Sequence, residues 1–182
     1  MNGIELLLTR QSNGQLISPA PDSIQFDKIL KAAMRAPDHG ALTPWHFSIV
    51  EGNGLNKLSE IFTQAAIKEN YTETQIIKSG KMPFRAPLII IVSTKFVEHK
   101  KVPKQEQLIA AGTCVHAMQM AAFALGFGAI WRTGDFAYNN VVKQQLSITE
   151  QNEIVGFLYI GTVAKSPSKK QGKSHLAYIN YL

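Results

Sequence analysis

Residues 108–131 run for 24 positions without one Asp, Glu, Lys or Arg. A stretch that long either crosses a bilayer or lies in the middle of a folded core, and each alternative constrains everything around it. Its content decides against the bilayer. His116 and Gln119 sit near its centre, Gly126 and Gly128 interrupt it, and the residues between are mostly Ala and Met, which gain little on entering lipid. The stretch reads instead as a buried helix over 103–125, a tight turn at Gly126-Phe127-Gly128 and a buried strand over 129–132. A helix apolar around its whole circumference needs cover on every side. With 182 residues in the chain, part of that cover is expected from a second copy, so the helix is expected in a homodimer interface, with no membrane association.

The flanking sequence supplies the other layers. Residues 4–10 carry Ile4, Leu7 and Leu8 at helical spacing, and Ser18-Pro19-Ala20-Pro21 makes a rigid connector. Asp22 or Ser23 can N-cap a helix that runs to Arg35 and stops ahead of Pro37. Residues 46–51 read as a strand, Gly52-Asn53-Gly54 as a turn and 55–70 as a returning helix. Leu88-Ile89-Ile90-Ile91-Val92, within a strand over 86–94, shows no alternation and therefore belongs to a strand covered on both faces. A last strand is expected over 154–161, and the apolar end Tyr178-Ile179-Asn180-Tyr181-Leu182 is expected to dock. No repeat or long linker divides the chain, so one domain over 1–182 is expected.

Charge narrows the choice of partner. Nineteen Lys and Arg against thirteen Asp and Glu give +6, but four of the lysines (Lys165, Lys169, Lys170, Lys173) lie in the acid-free last twenty residues. The body is left near +2, without the basic stripe interleaved with aromatics that a nucleic-acid binder presents, so no nucleic acid is expected. A lone cysteine, Cys114, precludes an internal disulfide. Residues 1–30 lack the pattern of a secretory signal, which makes a cytoplasmic location the expectation.

The familiar catalytic constellations are missing from the sequence. None of the five histidines pairs at a spacing that puts two ligands on one helix face, and Cys114 is expected to be core packing, not a thiolate. There is no G-x-S-x-G elbow, and Gly126-x-Gly128 lacks the third glycine of a dinucleotide fingerprint. Cationic and small polar residues remain where elements end: Arg10-Gln11-Ser12, Arg35, and Trp131-Arg132-Thr133-Gly134. Any one arginine alone could be a solvated helix-end charge. Grouped with a serine hydroxyl, they suit a phosphate or a carboxylate.

The loop Arg35-Ala36-Pro37-Asp38-His39-Gly40-Ala41-Leu42-Thr43-Pro44-Trp45-His46-Phe47 resembles the flavin-binding signature of the nitroreductase family, in its compact YdjA-like branch. Further segments agree in order along nearly the whole chain: Leu7-Leu8-Thr9-Arg10-Gln11-Ser12, Pro83-Phe84-Arg85-Ala86-Pro87-Leu88, Met118-Gln119-Met120-Ala121-Ala122, Gly126-Phe127-Gly128-Ala129-Ile130-Trp131-Arg132-Thr133-Gly134 and Ile154-Val155-Gly156-Phe157-Leu158-Tyr159-Ile160-Gly161. The resemblance implies an α+β fold with a central, mainly antiparallel sheet flanked by helices, in an intertwined homodimer. It implies FMN as cofactor, NADH or NADPH as electron donor, and ping-pong reduction of a small-molecule acceptor such as a nitroaromatic or quinone.

Carried over by position, the resemblance places Arg10, Gln11 and Ser12 at the FMN phosphate, and Arg35 and His39 at the flavin from the other subunit. Trp131, Arg132 and Thr133 complete the site, and the Gly134 backbone lies near flavin N5. Ala121, Ala122, Phe123, Ala124, Leu125 and Gly126 would face the nicotinamide nucleotide. Gln11 stands where the pattern usually has a second arginine, which implies weaker hold on the phosphate. Two other readings fit the residues: a flavin- or nucleotide-binding module with little turnover, and a basic nucleic-acid-associated protein acting through the lysine tail.

Overall fold

The computed structural model describes residues 2–165, 168, 172 and 174–182. Its helices are α1 (Gly3–Thr9), α2 (Ser23–Ala33), α3 (Asn53–Lys68), α4 (Glu73–Lys81), α5 (Lys104–Ala124), α6 (Asp135–Tyr138) and α7 (Asn140–Gln145). Its strands are β1 (Leu16–Ile17), β2 (Trp45–Glu51), β3 (Leu88–Thr94), β4 (Gly128–Arg132) and β5 (Ile154–Val163). Every pairing is antiparallel, so the expected α+β class is met. β5 is the middle strand, with β3 and then β2 on one side and β4 followed by β1 on the other.

All seven residues of β3 are buried, as its unbroken apolar run predicts. Leu88, Ile90 and Val92 point to a core shared with Ile29 and Ala33 of α2 and with Cys114, Val115 and Met118 of α5. Ile89 and Ile91 point the opposite way, to Leu58, Phe62 and Ala65 of α3, with Phe136 and Val142 alongside. Helices therefore cover both faces of the sheet, and each such side chain contributes about 1.5–3 kcal/mol on burial. Cys114 is fully buried with Sγ 3.3 Å from the Ala33 carbonyl oxygen, and burial pushes its thiol up to about 12. It is core packing.

Local chemistry sets the element ends. Asp22 caps α2 through the Gln25 amide, and Gln25 returns the bond, a capping box. At the far end of α5, Gly126 adopts φ +88°, the Phe127 amide donates to the Ala122 carbonyl at 2.9 Å and the Gly126 amide to that of Phe123 at 3.0 Å. That is a Schellman closure, and it turns the chain directly into β4.

Three segments are less covered within the single chain than a finished core would leave them. α5 is buried by its own chain on one side only: Leu108 is 39% and Ile109 61% exposed, and His116 is also open. Two helical layers and one sheet are too few to enclose it. β4 is likewise only half covered, with Trp131 exposed and Arg132 partly so. The terminal segment does not dock on its own chain: Leu176, Tyr178, Tyr181 and Leu182 are all exposed, because α2, α3 and α5 already fill both faces of the sheet. Lys169, Lys170 and Lys173 of the basic tail lie outside the described residues. Among the described residues no helix is long and apolar enough to cross a membrane.

Glycines let β5 carry neighbours on both edges and one face. A Cβ on Gly156 would collide with the Trp131 indole and stand 2.9 Å from the Arg132 carbonyl oxygen, and one on Gly161 would meet Pro87 at 2.7 Å. Trp131 Nε1 instead lies over the strand and donates to the Val155 carbonyl at 3.1 Å. Gly156→Ala is expected to destabilise the fold by about 1–3 kcal/mol, the cost of overpacking, read as a lower urea midpoint with unchanged slope.

Candidate functional site

β4 ends at Arg132, and the three residues after it open a cavity of about 460 Å³. Trp131, Arg132, Thr133 and Gly134 form one wall; Tyr71, Met82 and Arg85 come from the α3–α4 region and its following turn; Phe157 and Tyr159 of β5 lie beneath. The floor is aromatic, with Phe62 stacked on Phe136 at 4.4 Å and Phe157 edge-on to Phe62 at 5.4 Å.

Arg132 leaves its strand on the Tyr159 side, its guanidinium carbon 6.0 Å from that ring. It also lies against Gly14, where a Cβ would stand 3.0 Å from Nη2. The absence of a side chain at Gly14 therefore makes room for this arginine. Its Nε is buried without a hydrogen-bond partner, as is Nη1 of Arg10. Leaving a charged donor unsatisfied costs on the order of 1–3 kcal/mol, so each of these two nitrogens is a place where an acceptor oxygen would be favoured.

The segment between α1 and β1 that carries Arg10, Gln11 and Ser12 is fixed beside β4, and none of the three is among the residues lining the cavity. The Asn13 amide donates to the Ala129 carbonyl at 3.0 Å, Asn13 Nδ2 to that of Lys165 at 3.1 Å, and the Ala164 amide to that of Gln15 at 3.0 Å. Gln119, 6% exposed on α5, donates to the Ala129 carbonyl at 3.2 Å and reaches Ser12 Oγ at 3.5 Å. The segment is thus fastened to β4, β5 and α5 at once. Gln119 was not among the expected site residues, although it is a polar residue within the charge-free stretch and so needed partners.

Arg35 and His39 are not brought to this cavity. Arg35 is exposed beyond the end of α2, and His39 Nδ1 pairs with Glu106 Oε2 at 2.7 Å at the start of α5. The loop around His39 is wound tightly: Gly40, Ala41 and Thr43 all have positive φ, a costly conformation for the latter two. Ala121, Ala122, Phe123, Ala124, Leu125 and Gly126 close α5; Ala122 is fully buried and none of the six lines the cavity.

Sequence reasoning missed Tyr71, Arg85, Asp135 and Tyr159 as cavity residues. The Tyr71 hydroxyl donates to Asp135 Oδ2 at 2.8 Å, and that bond holds its proton more tightly than in a free phenol. Tyr159 is 3% exposed; burial raises its pKa and the nearby Arg85 and Arg132 oppose the rise. A lone phenol in the apolar run over 154–161 was the available signal.

Comparison with known proteins follows from this geometry. The model of the nitroreductase family matches residues 16–162. "Putative NAD(P)H nitroreductase YdjA" of Escherichia coli K12 is 48% identical over 162 residues, covering 89% of this chain and 88% of that protein. A nitroreductase-like family protein of Bacillus cereus has a TM-score of 0.87 at 22% identity, over 100% of this chain and 96% of the other. An FMN-dependent nitroreductase of Clostridium difficile R20291 has a TM-score of 0.69 at 22% identity, over 98% of each chain.

Arg132→Met is expected to leave the unfolding midpoint of the ligand-free protein unchanged or slightly raised, because it removes a buried donor that the fold does not satisfy. A loss above about 2 kcal/mol in chemical denaturation would show instead that the guanidinium supports the fold.

Proposed function

The chain belongs to the nitroreductase family, an oxidoreductase family, and from that premise we propose that it is an FMN-dependent NAD(P)H oxidoreductase of a single domain that reduces nitroaromatic or quinone-like acceptors by two electrons. The observation that carries the reading is the pair of buried guanidinium nitrogens without partners, Arg10 Nη1 and Arg132 Nε. Charge-assisted donors of that kind match the anionic oxygens of a flavin nucleotide. The residues present therefore fit the group.

In this reading Arg10, Gln11 and Ser12 hold the FMN phosphate, with Gln119 positioning Ser12. Gln11 supplies an amide in place of a second positive charge, which lowers the hold on the phosphate. Trp131, Arg132 and Thr133 line the ring system. Gly134, exposed and at φ +78°, leaves its backbone N–H free of steric cover and is assigned to flavin N5. Bound FMN supplies the hydride chemistry that no side chain here offers. The donor leaves before the acceptor is reduced, so the kinetics are ping-pong.

A homodimer completes the site. The open strip of α5 at Leu108, Ile109 and His116 and the exposed tail side chains support an intertwined pair in which Arg35 and His39 reach the partner's flavin. Ala121, Ala122, Phe123, Ala124, Leu125 and Gly126 are assigned to the nicotinamide nucleotide; exposure of Ala124 and Gly126 supports that assignment.

The purified protein is expected to show a flavin absorption band that bleaches on anaerobic addition of NADPH or NADH, with parallel double-reciprocal plots and twice the chain mass by light scattering. Arg132→Ala should weaken FMN uptake by about tenfold or more. A protein that takes up no FMN would overturn the reading, and one whose bound flavin bleaches yet is reoxidised slowly by every acceptor would favour a binding module with little turnover.

A further inference from the structure

The cavity beside Gly134 holds more positive charge than the cofactor assignment uses. Arg85 lines it, is only partly exposed and takes part in none of the ion pairs among the described residues. The Tyr159 hydroxyl lines the same space from a side chain 3% exposed and has no hydrogen-bond partner among the described residues. Burial keeps this phenol protonated, and hence a donor, at neutral pH. The acid on the cavity wall, Asp135, is engaged by the Tyr71 hydroxyl. Two arginines against one carboxylate leave the cavity with excess positive charge, and Phe62, Phe136 and Phe157 line the same space.

We propose that this cavity seats the electron acceptor and selects one that is aromatic and carries a carboxylate, with Arg85 and the Tyr159 hydroxyl as the groups that bind the carboxylate. The proposal rests on the oxidoreductase reading for the word acceptor, but the binding chemistry stands on the cavity alone. A space of about 460 Å³ falls within the range of small-molecule sites and admits a substituted single ring. Phe62, Phe136 and Phe157 offer that ring an apolar floor. A guanidinium and a phenol together provide the donors that a carboxylate satisfies and a neutral carboxamide satisfies poorly, since its NH₂ would face Arg85. Arg132 flanks the same hydroxyl from the cofactor side, so the carboxylate end would lie between the two arginines.

The test uses redox-inert benzoate and its neutral counterpart benzamide, titrated calorimetrically into the full-length protein with FMN bound and with FMN removed. Benzoate is expected to bind at least about tenfold tighter than benzamide, as a charge-assisted contact predicts. Arg85→Gln and Tyr159→Phe should each weaken benzoate by about five- to tenfold and move benzamide by less than twofold. Tyr159→Phe removes only the hydroxyl from a packed ring, so it remains informative if the arginine variant folds poorly. FMN affinity, read from quenching of flavin fluorescence, is expected to be the same in both variants as in the parent.

Equal binding of benzoate and benzamide would overturn the proposal. So would a loss of FMN affinity in Arg85→Gln as large as the loss of benzoate, because the cavity would then be the cofactor's own seat. Failure of the flavin reading looks different: the protein would take up no FMN, while benzoate binding that depends on Arg85 would persist and still support a carboxylate site.

Discussion

β5 donates and accepts backbone hydrogen bonds on both edges, to β3 along one and to β4 and β1 along the other, and the site exists because of that double pairing. One edge anchors the most buried strand of the molecule. The other fixes β4 in register, with Arg132 opposite Phe157 and Ile130 opposite Tyr159. A slip of one residue would turn Arg132 away from Tyr159 and toward the α5 core. Gly156 and Gly161 make the arrangement possible, since the space their side chains would fill is taken by Trp131 and Pro87.

The fold combines features that oppose stability with features that secure it. Arg10 and Arg132 each keep a buried nitrogen unsatisfied, and the loop at His39 holds Ala41 and Thr43 in left-handed conformations. Against these stand two full apolar layers and the fastening of the residue 10–15 segment by Asn13 and Gln119. Local strain of this kind persists only where the surrounding packing over-determines it.

Much of this was legible in the sequence for simple reasons. Runs without alternation at 88–92 and 154–161 can only be strands covered on both faces, and Asp22 with Pro37 brackets one helix chemically. The polar helix α4 was not anticipated, although Thr72 and Gln75 form the capping box that announces it. α6 and α7 are too short to show a period. Arg10, Ser12 and Arg132 were readable because they end elements; Arg85 and Tyr159 were not, because only the closed sheet brings residues so far apart in sequence to one space. Non-glycine residues at positive φ, as at Ala41 and Thr43, leave no mark in a sequence.

The middle strand of the sheet is also the last strand among the described residues. During synthesis β2 and β3 can pair with each other as soon as both have emerged, but the Ile-rich edge of β3 then waits, unpaired and strongly adhesive, until some sixty further residues have left the ribosome. β4 and β1 have no strand ladder to join until that moment. Folding must therefore complete late and nearly all at once, through contacts of high sequence separation. Until β5 has emerged, the open edge of β3 is a template for any other strand that meets it.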